Sequence, residues 1–540
     1  MTSRASALGR LQRVNTTSSE VASTALSTGT NPFAWLIALL CAATLITAII
    51  AAAVIGSNVN NTNSMLRSVQ NSQLATINAS CNAKAEERKQ LAYQVRVDAA
   101  FDQYSKQVPC HLNNGDEQRY AGQGYYSQFS KGLSHSSLGH VNTTSYELLL
   151  KATQTGLPSD WDAVLLAPGA VFQLKNPQAS HAFQLEGADS HVYSIPPAPQ
   201  FNSAEQAADM IEDYWKALLR DVHFSDFPTN SLVAQAVADL NQLSGYTGHK
   251  PVTPQNIFRG KAAGNLPGPY ISQFMYLPYA MGAHAMNQKL LPPTAGQDFG
   301  TTFAEFLNLQ NGQTPTGIRT FDTAPVYIRN GRDLSRFVEI DVLFQGSFEA
   351  LMVLQAIGAP LKKSLPYQTT SLNQCGFSTF GPPMLASLPG MASSAALKAA
   401  WHTKWLVNRR LRPEVFAARV DRHLRGFFTY DIHPEMLNSS VLSLLNSTYG
   451  SYLLPLAYPQ GSPLHPSYAA GHQSVSTATI SMLRAMFQED WIIPNPVVAS
   501  ADGLSLVPYV GPPLTVGGEL AKLAENIGLG RDWAGVSVKI

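Results

Sequence analysis

An uncharged stretch of 23 residues, from Phe33 to Ile55, constrains this chain more than any other feature of its sequence. A lipid bilayer offers no hydrogen-bond partners to the backbone, so a segment of this kind is expected to be a helix, and 23 residues suffice to span the bilayer. Three arginines against Glu20 in residues 1–32 favour a cytosolic N-terminus. We therefore predict a cytosolic Ser/Thr-rich tail over residues 1–32 and a transmembrane signal anchor over residues 33–56. The main domain would be lumenal or extracellular.

Two alternatives to the anchor stay open. Cleavage of the apolar segment as a long signal peptide would give a secreted protein, and a Ser/Thr-rich, acid-poor N-terminus is also typical of organelle transit peptides. Residues 57–90 are polar and read as a linker. Beyond the predicted span lie Cys81, Cys110 and Cys375, which permit one disulfide. A bridge from Cys81 to Cys110 would close the shorter loop.

The composition excludes some classes of protein. With 540 residues and 45% hydrophobic side chains the chain can bury a large core, so a disordered or fibrous protein is excluded. Its 37 basic and 36 acidic residues give a net charge of +1, which creates no global field to attract nucleic acid. We therefore expect no nucleic-acid partner.

The pattern from residue 91 to residue 540 is helical. A capping box begins at Ser203, and apolar residues follow it at helical spacing. A second helix is predicted from about Arg336 to the stop signals Gly358 and Pro360. Few segments alternate at the period of a strand, so we predict an all-α fold with one large multi-helix domain.

A basic segment near residue 404 is the first that suggests chemistry. A helix capped by Ser393 or Ser394 and closed by Pro413 would place Lys404 within an apolar stripe. Arg412 would continue the same ridge at steps of four residues. A buried ammonium needs an anion or a carboxylate beside it. The alternative is an ordinary solvated basic face.

Two later segments carry further polar residues. Gly471 and His472 would lie at the start of a helix, where free backbone N–H groups and the helix dipole favour an anion. Arg531 follows Gly530 after an apolar stripe. Neither segment alone is strong evidence for a site.

Taken together, the segments KWLVNRRLRP, HPSYAAGH and LGRDWAGV resemble the three-part signature of the vanadium-dependent haloperoxidases and the related type 2 phosphatidic acid phosphatases. The eight-residue spacing from Lys404 to Arg412, with Trp401 before them, is similar to the algal bromoperoxidase branch. The resemblance covers most of residues 90–540. It implies paired four-helix bundles that hold vanadate between them, assembled as a homo-oligomer.

The resemblance also implies roles for single residues. Lys404, Arg412 and Arg531 would neutralise the oxygens of vanadate. The chain at Ala470 and Gly471 would bind the same anion, with the Gly471 N–H as donor. The implied partners are hydrogen peroxide, a halide such as bromide and small organic acceptors. The membrane is a further expected partner, from the uncharged segment over residues 33–56. The catalytic set would be His472 as the acid–base group, together with Lys404, Arg412, Arg531, His465 and Trp401.

Two departures from the family pattern limit this expectation. Ala470 stands where the family has a serine, and Ser537 stands where it has the histidine that binds vanadium. No metal ligand is therefore assigned, and the domain is expected to be truncated at its C-terminus. Three functions stay open: a haloperoxidase, an acid phosphatase with the same cage, and a non-catalytic oxyanion-binding protein.

Overall fold

The computed structural model of the protein describes residues 81–185, 187–369 and 371–537. The chain divides into two compact units, Met1–Phe101 and Asp102–Ile540. The predicted span over residues 33–56 lies outside the described residues. Within the described part, no helix has both the length and the apolar character needed to cross a membrane.

Helices dominate the described part of the chain, which confirms the helix-rich character of the fold. The arrangement as paired four-helix bundles stays a prediction. In chain order the α-helices are α1 (Cys81–Ser105), α2 (Asp116–Arg119), α3 (Thr143–Thr155), α4 (Pro158–Asp162), α5 (Ala204–Leu219), α6 (Ser231–Gln242), α7 (Phe303–Gln310), α8 (Gly331–Phe337), α9 (Gln345–Ala356), α10 (Pro382–His402), α11 (Pro413–Leu424), α12 (Pro434–Asn438), α13 (Ser440–Tyr449), α14 (Gly471–Met486) and α15 (Val516–Trp533).

In the part of the chain that the structure describes, two short antiparallel hairpins interrupt the helices, and the sequence pattern predicts neither of them. Strand β1 (Tyr279–Met281) pairs with β2 (His284–Met286), with Tyr279 opposite Met286. Strand β3 (Val497–Ala499) pairs with β4 (Leu506–Pro508), with Val497 opposite Pro508. Three-residue strands are too short for alternation to be detected in a sequence.

Side-chain caps set the start of many helices. The predicted Ser203 cap is present, because its side chain accepts a hydrogen bond from the backbone N–H of Gln206 at the start of α5. The box is not reciprocal, since the Ser203 N–H donates to the carbonyl oxygen of Gln200 and the Gln206 side chain accepts from Arg410. Thr515 caps α15 by accepting from the N–H of Gly518. These caps satisfy donors that the first helical turn leaves unpaired. The same kind of cap is supplied by Asn142, Asn230, Thr302, Asn330 and Ser439.

The prediction of one continuous helix from about Arg336 is wrong, because a loop divides this segment between two helices. Helix α8 ends at Phe337, and α9 begins only at Gln345. Ile340, which falls within the predicted helix, is 69% exposed in the loop between them. The apolar residues of that loop stand at helical spacing in the sequence, although the loop itself is not helical.

The Lys404 region also differs from its prediction. Helix α10 begins at Pro382, well before the predicted caps Ser393 and Ser394, and the next six residues, Thr403–Asn408, form a wider π-helical turn. Arg409 then adopts a left-handed backbone with φ of 43°. Arg412 is therefore the N-cap residue of α11 and lies on no ridge shared with Lys404.

The side chain of Cys81 lies outside the described part of the structure. Cys110 is a free, exposed thiol, as is Cys375.

Helices α10, α14, α15 and α8 frame the part of the fold that matters for the site. Helix α14 packs against both α10 and α15, and α15 also packs against α8. The contact between α15 and α8 needs glycine, because a Cβ atom at Gly331 would lie 2.3 Å from Cε3 of Trp533. This close approach brings the end of α15 to the start of α8.

Candidate active site

The π-helical turn Thr403–Asn408 is fixed by the burial of one aromatic ring. Trp405 is fully buried and packs edge-to-face on Phe129 and Trp161, with ring centroids 5.6 and 5.8 Å away. One residue earlier, Lys404 is 1% exposed, and its Nζ donates to the carbonyl oxygens of Pro466 and Ser467 at 2.7 and 2.9 Å. The turn therefore carries a buried cation to the second polar segment.

Arg412 joins all three predicted segments. Its Nε donates to the carbonyl oxygen of His465 at 2.8 Å, and its Nη1 donates to that of Val536 at 2.7 Å. Its Nη2 lies 2.8 Å from Nδ1 of the His465 ring. A guanidinium has its donors in a fixed plane, so these bonds set the spacing of the segments.

The start of α14 is as the sequence predicted. Ala470 is the N-cap residue and gives no side-chain cap, while Gly471 and His472 are the first two helical residues. The backbone N–H groups of such a first turn have no partner within the helix. The ring of His472 is held from outside the helix, because its Nε2 lies 3.1 Å from Oδ1 of Asp341.

The end of α15 supplies the third cation and the position of the departure. Arg531 donates from Nη1 to the carbonyl oxygen of Val338 at 3.1 Å, and its guanidinium lies 5.4 Å from the ring centroid of Tyr458. Ser537 follows α15 and is 6% exposed. Its side chain can offer a hydroxyl but no imidazole.

These segments meet around a cavity of about 600 Å³. Its outer wall contains apolar side chains, among them Leu343, Leu397 and Leu529. Every residue that the sequence placed in the site lines this one cavity: Trp401, Lys404, Arg412, His465, Ala470, Gly471, His472, Arg531 and Ser537.

The cavity is lined by buried basic side chains that repel one another. Burial lowers the pKa of Lys404 well below its usual range, and repulsion from Arg412 and Arg531 adds to the shift. Burial also lowers the pKa of Arg412, to about 9, so this side chain stays charged at neutral pH. In the described part of the chain, Lys404 and Arg412 form no salt bridge and donate only to carbonyl oxygens and the His465 ring.

Two imidazoles and one indole complete the polar side of the cavity. The rings of His465 and Trp401 lie 4.8 Å apart, and burial together with Arg412 and Lys404 lowers the pKa of His465 well below 6.5. Burial also lowers the pKa of His472, although the hydrogen bond to Asp341 opposes that shift. Both rings are therefore neutral near pH 7.

The residues fit an oxyanion better than a metal cation. Among residues 81–185, 187–369 and 371–537, no group of three or more His, Cys, Asp or Glu side chains is placed to hold a metal ion. Positive side chains and helix N–H groups are the partners of a multiply charged oxyanion. The donor set thus suits vanadate or phosphate, but position 537 supplies no nitrogen.

Sequence reasoning missed Asp341 as a site residue. Its neighbours fit the spacing of the continuous helix that the sequence predicts from about Arg336. Its position in the loop between α8 and α9 brings it to His472, although the two residues are 131 positions apart in the chain. No local pattern encodes such a contact.

The known proteins to which this chain is similar are vanadium-dependent bromoperoxidases. No protein-family model matches the chain. The vanadium-dependent bromoperoxidase of Ascophyllum nodosum is 29% identical over 476 residues, which cover 83% of this chain and 84% of the relative. That of Corallina pilulifera is 28% identical over 545 residues, covering 84% and 91%. A solved homohexameric structure of a second vanadate-dependent bromoperoxidase from Ascophyllum nodosum superposes with a TM-score of 0.79 at 28% identity, covering 86% of this chain and 83% of the other.

Proposed function

We propose that the cavity binds vanadate and that the protein oxidises bromide with hydrogen peroxide. The premise is that this chain is a relative of the vanadium-dependent bromoperoxidases over most of its length. Iodide and chloride are further candidate halides. The observation that carries the proposal is the convergence of Lys404, Arg412 and Arg531 on one cavity, where neither of the first two forms a salt bridge in the described part of the chain.

Physical chemistry supports an anion in that place. A buried charge without a partner costs several kcal/mol, on the order of the stability of a whole domain, unless a ligand neutralises it. Vanadate carries oxygens that can accept from all three cations and from the N–H of Gly471 at the start of α14. Ala470 contributes only backbone, since its methyl group cannot donate.

The other residues have roles that follow from their chemistry. When bound, vanadate supplies the electrophilic centre at which hydrogen peroxide is activated toward halide. Of the two neutral imidazoles in the cavity, His472 is the better candidate to accept a proton of hydrogen peroxide, because burial, Arg412 and Lys404 lower the pKa of His465 well below 6.5. The ring of Trp401 packs beside that of His465, with ring centroids 4.8 Å apart. The resemblance assigns the acid–base role to His472.

Ser537 favours a second candidate function. A hydroxyl does not replace imidazole as a ligand to vanadium in kind. The same cavity could then hold an oxyanion without turning over peroxide. In that case the protein is an oxyanion-binding protein with the fold of an enzyme.

We also propose the setting in which this site works. The uncharged segment over residues 33–56 would anchor the chain, with the cavity in a lumen or outside the cell. A homo-oligomer is supported by the homohexameric bromoperoxidase to which this chain is similar. Small organic acceptors would meet the apolar wall formed by Leu343, Leu397 and Leu529.

The test uses the full chain with orthovanadate, hydrogen peroxide and bromide, and follows halogenation of a phenol dye. We expect turnover that needs all three additions, and a higher rate in Ser537→His, which restores an imidazole at that position. A matched control is Ser505→His, which adds an imidazole to the β3–β4 hairpin.

Each other outcome has a separate meaning. Vanadate binding measured by calorimetry without turnover supports the oxyanion-binding candidate. Hydrolysis of an aryl phosphate that vanadate inhibits would support the acid phosphatase instead. If calorimetry detects no vanadate binding at all, both the haloperoxidase and the oxyanion-binding proposals are wrong.

A further inference from the structure

The ring of His472 is held by a carboxylate in a defined orientation. Its Nε2 lies 3.1 Å from Oδ1 of Asp341, whose side chain is 10% exposed. An ionised carboxylate can only accept a hydrogen bond, so the proton of the neutral ring lies on Nε2. Asp341 comes from the loop between α8 and α9, and the ring from the first turn of α14. Two separate elements thus fix one imidazole.

This arrangement leaves the other ring nitrogen with a lone pair. In the described part of the chain, the one side-chain hydrogen bond of His472 is that to Asp341, so Nδ1 is free to donate its lone pair. The ring lines the cavity and its side chain is 24% exposed. An imidazole whose N–H is held by a carboxylate while its second nitrogen faces a ligand is the usual geometry of metal-binding histidines.

The second imidazole of the cavity is placed differently. Arg412 approaches the His465 ring at both nitrogens, with Nη2 at 2.8 Å from Nδ1 and 3.4 Å from Nε2. Nδ1 also lies 3.0 Å from the carbonyl oxygen of Pro466. A nitrogen that faces a guanidinium shares its lone pair with that cation. His465 is therefore a poorer donor to a metal than His472.

We propose that Nδ1 of His472 is the nitrogen that binds the vanadium of vanadate in this chain, in place of the imidazole that Ser537 lacks. The bond is a dative one from the Nδ1 lone pair, no electron is transferred, and the Nε2 proton stays on the ring. This inference rests on the proposed function. With Nε2 held by Asp341 and Nδ1 bound to vanadium, His472 would have no free nitrogen for the acid–base role that the resemblance gives it.

The experiment is vanadium K-edge X-ray absorption on the full chain loaded with orthovanadate. We expect the multiple-scattering pattern of one imidazole on vanadium in the parent protein. The pattern should be lost in both His472→Ala and His472→Gln. It should persist in His465→Gln, the matched control for the second ring. Vanadate affinity from calorimetry should fall roughly 10- to 100-fold in Asp341→Ala, because the ring loses its anchor.

Circular dichroism of each variant checks that it folds, and the glutamine substitution retains a polar side chain where alanine leaves a gap. Added free imidazole should restore the scattering pattern in His472→Ala. The inference is overturned if the pattern survives in both His472 variants, if it disappears in His465→Gln, or if the parent binds vanadate with oxygen neighbours alone. Absence of any vanadate binding overturns the proposed function itself.

Discussion

At the scale of single residues, two buried lysines in this protein have opposite surroundings. Lys131 and Lys404 are each 1% exposed, and each donates to two carbonyl oxygens. Lys131 also lies 3.9 Å from the carboxylate of Glu414, and burial lowers its pKa only to about 8. Lys404 faces Arg412 and Arg531 instead. Lys131 is thus part of an ion pair, while Lys404 forms no salt bridge in the described part of the chain.

This contrast predicts opposite effects of the same substitution. Lys404→Met should leave the free energy of unfolding without vanadate unchanged within about 1 kcal/mol or raise it, since it removes an uncompensated charge. Lys131→Met should lower it by about 3 kcal/mol, because Glu414 loses its buried partner. Urea unfolding measures both values.

The two lysine variants should also differ in how much vanadate stabilises them. At about 100 times its Kd it should raise the unfolding free energy of the parent by about 2.7 kcal/mol. That gain should largely vanish in Lys404→Met and persist in Lys131→Met. An equal vanadate gain in both variants would contradict the role of Lys404.

At the scale of elements, the position of Arg531 depends on how closely α15 packs against α8. A Cβ atom at Gly530 would lie 2.8 Å from Cγ2 of Val338 and 3.1 Å from the carbonyl oxygen of Leu334. Those distances are shorter than ordinary van der Waals contact, and the backbone oxygen cannot turn away. Glycine at this position therefore lets α15 approach α8 closely.

Gly530→Ala tests that contact. We expect a loss of about 1 to 3 kcal/mol in the free energy of unfolding from overpacking, and weaker vanadate binding as Arg531 shifts. The control is Gly390→Ala inside α10, where the nearest atom, Cζ of Phe344, would be 4.0 Å away. That variant should gain up to about 1 kcal/mol from helix propensity. Thermal unfolding and calorimetry compare the two, and equal stability would contradict the close packing.

At the scale of the whole molecule, neutral imidazoles that do not line the cavity make the fold sensitive to acid. Burial is the main cause that lowers the pKa of His135, His140 and His402 to about 4. In the unfolded chain these rings take up protons near pH 6.5. Between about pH 6.5 and pH 4 the unfolded state therefore binds more protons, so the free energy of unfolding falls as pH drops through that window.

His402→Phe should reduce this dependence on pH. His402 stacks on His191 with ring centroids 4.0 Å apart, and both of its nitrogens lack a partner in the described part of the chain. Phenylalanine keeps the aromatic packing and binds no proton in the unfolded state. We expect higher stability than the parent, with a larger gain at pH 5 than at pH 8. His284→Phe, at an exposed strand position, is the control, and identical pH slopes for parent and His402→Phe would contradict the prediction.

The sequence by itself determined the helical character of the fold and identified three segments whose side chains line one cavity. Helical periodicity and a local cap were sufficient for α5, because both depend on neighbours within one turn. The segments around Lys404, Gly471 and Arg531 were identified by residue type and spacing, and their side chains do line one cavity.

Only the tertiary structure decided how these side chains reach the cavity. The left-handed residue Arg409, the N-cap position of Arg412 and the loop that carries Asp341 depend on packing between distant segments. The apolar spacing from Phe337 to Phe344 matched a helix, yet the chain leaves the helix there and Asp341 contacts His472. Periodicity records which residues are apolar. It contains no information about hydrogen bonds between residues that are distant in the chain, because those bonds form only when the fold brings the residues together.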